Sequence, residues 1–239
     1  MAISPFSLQH SWSVHWSRTP SNFKEQPILG KVASNEQEAL LAVASVGLIT
    51  ARQLFHLFSL NKDKVKRMVK RNRLVKHELV MNGDRRIAVY SLGINGAKIV
   101  GFSGYENNYW VKFSVNDILK RLLFLNFYER FHPNNLLPAA DPFIGSIMIN
   151  NKAMYVYVVR GGLNDLMMYL KWNSLNKRLI LITESLSLLE QLKPFLHDIK
   201  VRAILDSCVV DKTKKLSESF YLLDGNEFKI EARNEFPPI

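Results

Sequence analysis

A dense run of basic residues at positions 61–76 constrains the fold of this chain more than any other feature. Eight of these 16 residues are Lys or Arg and only Asp63 is acidic, so the segment carries +7 of the protein's net charge of +11. Val65, Met68 and Val69 recur at helical spacing, which predicts a helix with one face in a core. Like charges on one helix repel by about a few tenths of a kcal/mol per close pair. Such a helix is expected to sit on a polyanion, although a solvated basic face is the simpler alternative.

The residues around the basic segment predict three short helices followed by a β-hairpin. Ser34 and Gln37 are spaced as a capping box that would begin the first helix, and Thr50 is placed to cap the second. The basic segment then supplies the third helix after a tight turn. Asn82-Gly83 is the strongest short-range hairpin signal, and it separates two segments that are typical of strands.

Three helices followed by a hairpin predict a winged helix-turn-helix over residues 34–101. In such a module the third helix enters the major groove of DNA, and we expect the hairpin to lie on the phosphates. The basic segment occupies the position of the recognition helix, and Arg85 and Arg86 stand just beyond the hairpin turn. The candidate DNA contacts are therefore Lys62, Lys64, Lys66, Arg67, Lys70, Arg71, Arg73, Arg85 and Arg86.

The composition is that of a basic globular protein that can bury a core. Of the 239 residues 47% are hydrophobic and 22% charged, and the net charge of +11 favours nucleic acid as the partner. Cys208 is the only cysteine, and its apolar, strand-like surroundings predict a buried, inert thiol. No apolar stretch of ~20 residues and no secretory signal is apparent, so we expect a cytoplasmic protein that does not associate with a membrane.

Changes in pattern divide the chain into four predicted segments. Residues 1–33 form an arm whose Trp12 and Trp16 are expected to anchor it on the body of the protein. The winged helix-turn-helix follows, and residues 102–134 then provide a linker and a connecting helix. Residues 135–239 alternate strands and helices in the manner of an α/β sandwich. The predicted fold class is thus α+β.

Short motifs in the predicted winged helix carry a resemblance to a known family. They are Gly-Leu-Ile-Thr-Ala-Arg-Gln-Leu-Phe (47–55) and Val-Tyr-Ser-Leu-Gly-Ile-Asn-Gly (89–96). With the order of the other parts, they resemble the replication-relaxation family of plasmids and other mobile elements over most of residues 34–210. The resemblance implies a restriction-endonuclease-like, PD-(D/E)xK-like second half, in which Asp141 matches the first acidic position and residues 154–161 match the second strand.

The second half departs from that family in the residues that a nuclease needs. A metal-dependent nuclease of this fold carries a second acid, and usually a lysine, on the second strand, where they bind a metal and activate water. Here that strand offers Tyr155, Tyr157, Val158 and Val159, none of which can ligate magnesium. We therefore expect an inactive nuclease-like domain in a protein without enzymatic activity, metal or cofactor.

The leading hypothesis is a non-enzymatic protein that binds double-stranded DNA and controls transcription, replication or DNA transfer in a mobile element. Two other functions stay open. An adaptor would use the winged helix to bind another protein. A nuclease with a rearranged site would pair Asp141 with one of four downstream acids, namely Glu184, Asp198, Asp206 and Glu227.

A homodimer is also expected, because many winged-helix proteins read two half-sites. The segment 115–131 predicts a helix that is apolar around much of its circumference, so it is the candidate interface. The second half is the alternative interface.

Overall fold

A computed structural model describes residues 4–20, 31–133, 135–149, 151–173, 178–197, 199–225 and 227–231. Parts of the predicted arm, residues 1–3 and 21–30, lie outside these ranges. The predicted α+β class is confirmed, since helices and strands alternate irregularly along the chain and the strands form two separate sheets. None of the helices in the described ranges is long and apolar enough to cross a membrane.

The chain forms two compact units. The N-terminal unit is His10–Leu125, and the C-terminal unit combines Met1–Gln9 with Asn126–Ile239, in each case as far as the residues are described. The N-terminal unit therefore includes more than the three short helices and the hairpin. It also contains most of the predicted arm, the predicted linker and much of the connecting helix.

The described residues of the N-terminal unit form five α-helices, a 3₁₀ helix and a four-stranded sheet of order β1-β3-β4-β2. Its elements are β1 (Trp12–His15), α1 (Ser34–Val46), β2 (Leu48–Thr50), α2 (Ala51–Phe58), α3 (Lys62–Lys70), β3 (Leu74–Met81), β4 (Arg85–Leu92), α4 (Ile94–Val100), the 3₁₀ helix (Tyr109–Lys112) and α5 (Val115–Glu129), which continues into the C-terminal unit.

Local side-chain chemistry begins two of these helices. The cap predicted at Thr50 is confirmed, and the structure extends it to a capping box. The Thr50 hydroxyl accepts from the Gln53 N–H at 3.2 Å, and the Gln53 amide oxygen accepts from the Thr50 N–H at 3.0 Å. Asn61 caps α3 by accepting from the Lys64 N–H at 3.0 Å. The capping box predicted for α1 is wrong, since the Ser34 hydroxyl instead donates to Glu38 at 2.7 Å.

The predicted hairpin is confirmed. Strands β3 and β4 pair antiparallel as far as Met81 opposite Arg85, which leaves a loop of three residues. Asn82 and Gly83 have positive φ angles of 53° and 81° in that loop, a conformation that these two residue types adopt readily.

The turn after α3 is fixed by the start of α4. The backbone carbonyls of Asn72 and Arg73 accept from the N–H groups of Asn95 at 3.1 Å and Gly93 at 2.9 Å. The Asn95 side chain also donates to the Arg71 carbonyl at 2.8 Å. These bonds satisfy carbonyls that the end of a helix would otherwise leave without partners.

The arm is anchored on the sheet of the N-terminal unit. Strand β1 pairs antiparallel with β3, and Trp16 packs edge-on against His77 with ring centroids 4.9 Å apart. The Ser17 N–H donates to His77 Nδ1 at 3.1 Å, and the Ser17 carbonyl accepts from Trp110 Nε1 at 3.0 Å. Trp110 is fully buried, so the segment predicted as a linker is part of the core.

Helix α5 confirms the prediction of a helix buried on several sides, but it cannot be the predicted dimer interface. No residue of α5 is largely exposed. Its apolar side chains are already buried within a single chain, so they have no surface left for a second copy. They are Ile118, Leu119, Leu122, Leu123, Phe124, Leu125, Phe127 and Tyr128.

The C-terminal unit is built on a seven-stranded sheet of order β11-β10-β9-β8-β7-β6-β5. Strands β7, β8 and β9 run parallel, and the other neighbouring pairs run antiparallel. The elements are β5 (Asn135–Leu137), β6 (Gly145–Ile149), β7 (Lys152–Val158), α6 (Asn164–Trp172), β8 (Arg178–Thr183), a 3₁₀ helix (Leu186–Phe195), β9 (Val201–Leu205), α7 (Asp206–Val210), a second 3₁₀ helix (Leu216–Glu218), β10 (Phe220–Asp224) and β11 (Glu227–Ile230).

Cys208 corrects one expectation for this unit. It lies in the short helix α7 and is partly exposed, whereas the sequence predicted a buried position in a strand. The apolar run before it belongs to β9, and the chain turns into α7 at Asp206.

We expect His77 to make the protein less stable as the pH falls. Burial lowers its pKa from 6.5 to about 3. As the pH falls below 6.5 the unfolded chain therefore binds a proton that the folded chain rejects. Stability contributed by neutral His77 is present above pH 6.5 and is lost between pH 6.5 and 3, at up to about 1.4 kcal/mol per pH unit.

Urea unfolding at several pH values between 7.5 and 5 measures this effect. The His77→Asn variant keeps an acceptor for Ser17 but cannot titrate, so its stability should be lower at pH 7.5 and should change less with pH. The exposed His56→Asn variant is the control and should follow the wild type. Parallel pH profiles for wild type and His77→Asn would contradict the prediction.

Gly96→Ala should destabilise the protein, because the close approach of α4 leaves no space for a methyl group. A Cβ atom at Gly96 would lie 2.2 Å from the Arg73 carbonyl oxygen. Overpacking of this kind costs about 1–3 kcal/mol. Gly104→Ala is the control, since its nearest neighbour would be 3.8 Å away. Urea unfolding that shows equal stability for both variants would refute the tight docking of α4.

Candidate nucleic-acid interface

Helix α3 presents one buried face and one basic face. Val65 and Met68 are buried, at 4% and 1% exposure, and point into the core of the N-terminal unit. Because successive residues turn by about 100° around a helix, Lys66, Arg67 and Lys70 fall on the opposite arc. Lys62, Lys64 and Arg71 lie on the flanks between the two faces. We call these six residues together the basic face. It consists of Lys62, Lys66, Arg67, Lys70 and Arg71, which are exposed, and Lys64, which is partly buried.

Both ends of α3 are held by hydrogen bonds, so the basic face has a defined position. Asn61 caps the amino end, and the carbonyls that follow Lys70 are bound by residues at the start of α4. A helix of nine residues would be marginal on its own in water. Its position is therefore set by docking and by the burial of its apolar face.

Arg73 does not belong to the basic face, which corrects its selection as a DNA contact. Its side chain is 6% exposed, and Nη1 lies 2.5 Å from the Glu36 carboxylate of α1. A guanidinium committed to a buried ion pair is not available to a phosphate. The charge of Arg73 is evident from the sequence, but its burial is not. Only the folded structure shows that Arg73 is buried whereas Lys70 and Arg71 are exposed.

The hairpin adds two exposed arginines, of which one has a partner. Arg85 is exposed beside the loop. Arg86 is also exposed, but its Nη1 lies 3.2 Å from the Glu78 carboxylate on the neighbouring strand. Such a solvent-exposed pair contributes little, on the order of 0–1 kcal/mol, so Arg86 can exchange Glu78 for another anion at low cost.

Lys76 is a basic residue that the selection of contacts omitted. It lies in β3 and is exposed, whereas the residues on either side of it are buried or partly buried. Lys76, Glu78 and Arg86 share one face of the sheet, because side chains two apart on a strand point the same way and Val80 pairs with Arg86. Its place in the basic segment was the signal that could have identified it.

A second group of charged residues lies in the C-terminal unit. We call it the Arg160 cluster, and it consists of Arg160, Glu184 and Asp206. The Arg160 guanidinium contacts both carboxylates, through Nη2 to Asp206 and through Nε at 3.8 Å from Glu184. Two of the acids considered for a rearranged nuclease site are thus brought together.

Two other acids of that hypothetical site, Asp141 and Glu227, are exposed residues outside the Arg160 cluster. Asp141 is exposed in the turn before β6, and Glu227 is exposed in β11. Asp198 lies outside the described residues. Throughout the described ranges, no group of three or more His, Cys, Asp or Glu side chains could hold a metal ion. The described residues therefore offer no such ligand set around Asp141.

We expect Arg73→Ala to destabilise the protein without removing a charge from the basic face. Breaking a buried ion pair costs about 3–5 kcal/mol, and the slight exposure of Glu36 favours the lower end of that range. The neighbouring exposed Arg71→Ala is the control and should change the free energy of unfolding by less than about 0.5 kcal/mol. Urea unfolding measures both, and equal effects would show that Arg73 is not a structural residue.

Comparisons with known proteins do not assign this chain to a family. No protein-family model matches this chain. No curated protein and no solved structure matches it either. Function is therefore inferred from the residues of this chain and from their arrangement.

Proposed function

We propose that this protein is a non-enzymatic double-stranded DNA-binding protein in which α3 is the recognition helix of a winged helix-turn-helix. The observation that carries the proposal is the basic face. It places five exposed cationic side chains and the partly buried Lys64 along α3 and its C-terminal cap residue, and both ends of this helix are fixed. Cationic side chains in such an array neutralise phosphates and release counterions, which is the main source of affinity for duplex DNA.

The order of elements supports the assignment of α3 to the major groove and of the β3–β4 hairpin to the wing. Helices α1, α2 and α3 precede the β3–β4 hairpin, as in winged helices whose third helix reads the major groove. Arg85, Arg86 and Lys76 on the hairpin would then contact phosphates. Such contacts fix the position of a protein on the duplex, whereas base contacts by the basic face would supply sequence preference.

The resemblance to the replication-relaxation family extends the proposal to a process. On that basis the protein is a control factor of transcription, replication or DNA transfer in a plasmid, phage or other mobile element. The C-terminal unit would serve assembly or additional DNA contact rather than cleavage.

If the basic face is only solvated, DNA binding should depend on the net charge and not on the position of the lysines. If only the overall charge of +11 attracted DNA, the location of a lysine would not matter. If α3 lies in a groove, lysines of the basic face must matter more than equally exposed lysines elsewhere. Two lysines of the C-terminal unit, Lys152 and Lys171, are exposed and provide the comparison.

We expect the double variant Lys66→Ala/Lys70→Ala to bind duplex DNA more weakly and with less dependence on salt. Each lost phosphate contact should reduce the log–log salt slope by about 0.9, so two contacts reduce it by about 1.8. The double variant Lys152→Ala/Lys171→Ala removes the same charge from the C-terminal unit and should lose less affinity than Lys66→Ala/Lys70→Ala. Fluorescence anisotropy on one duplex, from about 50 to 200 mM salt, measures both quantities.

Two results would refute the proposal. One is an absence of duplex binding by the wild type at about 50 mM salt, where electrostatic contacts are strong. The other is an equal loss of affinity in the two double variants, which would show that net charge rather than the basic face attracts DNA.

A further inference from the structure

A groove of about 760 Å³ opens on the seven-stranded sheet of the C-terminal unit. The described residues that line it come from the amino ends of β8 and β9, from β10 and from the edge strand β11. We call it the sheet groove. Its charged lining residues are Arg178, Lys200, Arg202, Asp224, Lys229 and Glu231.

The alternation of side chains along β8 and β9 decides which face of the sheet the groove occupies. Leu179 and Val201 pair across these strands, and both belong to the buried core of the C-terminal unit. Arg178 and Lys200 each stand one position before that pair, so their side chains point to the opposite face. The Leu179 N–H donates to the Lys200 carbonyl at 3.0 Å, which holds the two cationic positions next to each other.

Two of the cations in the sheet groove are neutralised by the two acids. Arg202 forms a buried ion pair with Glu231, and these side chains are 8% and 1% exposed. Lys229 Nζ lies 2.8 Å from the Asp224 carboxylate, but both of these side chains are exposed. The charged lining residues nevertheless keep a net charge of +2.

Arg178 and Lys200 are the source of that excess charge. Within the described ranges neither of them forms an ion pair. Like charges opposite each other on neighbouring strands destabilise a sheet, so an anion bound to both would relieve their repulsion. Arg178 is partly buried and Lys200 is exposed, so an anion can reach them from solvent.

The spread of the cations favours an extended polyanion over a single small ion. Neighbouring strands of a sheet lie about 4.8 Å apart, so three intervals separate the backbones of Arg178 on β8 and Lys229 on β11 by ~14 Å. One phosphate ion could not contact both positions. A chain of phosphates could follow the groove from one to the other.

The uncharged lining favours duplex over single-stranded nucleic acid. Among the described residues that line the sheet groove, every uncharged side chain is aliphatic and none is aromatic. Proteins that hold single strands stack the bases on aromatic side chains. Contacts of Arg and Lys with phosphates, in contrast, fix the position of a protein on a duplex without reading its sequence.

We propose that the sheet groove binds the phosphate backbone of duplex DNA through Arg178 and Lys200. Lys229 adds a third contact by exchanging Asp224 for a phosphate, since an exposed ion pair contributes little. The buried Arg202 stays with Glu231 and shapes the groove. This inference rests on the proposed function, because it takes duplex DNA as the ligand, and it assigns DNA contacts to the C-terminal unit.

The double variant Arg178→Ala/Lys200→Ala tests the proposal in the full-length protein. Its affinity for duplex DNA should fall, and its log–log salt slope should decrease by about 1.8, because each lost phosphate contact removes about 0.9. Fluorescence anisotropy from about 50 to 200 mM salt measures both quantities. The affinity for one strand of the same duplex should fall less than the affinity for the duplex itself.

The matched control is the double variant Lys171→Ala/Lys214→Ala. It removes the same charge from exposed positions of the C-terminal unit that do not line the groove. Its salt slope should stay closer to that of the wild type. Circular dichroism establishes that each variant is folded. If Arg178→Ala/Lys200→Ala does not fold, Lys200→Ala decides by itself and should reduce the slope by about 0.9.

The results separate this inference from the proposed function. Equal effects of the groove variant and its control, with binding that still depends on Lys66 and Lys70, would overturn the groove contact and leave α3 as the DNA site. A specific loss in the groove variant without one in Lys66→Ala/Lys70→Ala would support the groove and contradict the recognition helix. A loss confined to single-stranded DNA, or no duplex binding by the wild type, would also overturn the inference.

Discussion

The turn that ends α3 is the constraint on which the N-terminal unit depends. The carbonyls of three successive residues, 71–73, accept hydrogen bonds from residues at the start of α4. The side chain of Arg73 forms an ion pair with Glu36 of α1. One short turn thereby ties α3 to α1, α4 and the sheet. A nine-residue helix with crowded positive charge could not hold its place by helical propensity. The same contacts set Arg73, which stabilises the fold, apart from the six residues of the basic face.

The sequence predicted those parts of the N-terminal unit whose causes are local. Thr50 and the Asn82-Gly83 pair act through neighbours a few residues away, so the cap of α2 and the hairpin could be found from the sequence. Ser34 shows the limit of that approach, because the same cap pattern did not form at α1. The burial of Arg73 depends on a partner 37 residues away, which no local pattern contains.

The C-terminal unit shows the same contrast. Strands β8 and β9 coincide with continuous apolar runs in the sequence, which indicate strands because a strand buried on both faces has no polar alternation. The Arg160 cluster could not be predicted, since its three residues come from the ends of three strands and meet only through the parallel order of the sheet. The predicted interface on α5 failed for a related reason, because an apolar sequence does not say which surface covers it.

Residues 4–20 have a consequence for how this chain reaches its folded state. Positions up to Gln9 belong to the C-terminal unit, while His10 and the strand β1 belong to the N-terminal unit. The Phe6 carbonyl finds its partner on Arg160 only 154 positions later. The C-terminal unit is therefore not a continuous stretch of chain, and a fragment that begins at Asn126 would lack the Phe6 carbonyl that accepts from Arg160 Nε. Because loop-closure entropy opposes contacts so distant in sequence, we expect completion of the C-terminal unit to be slow.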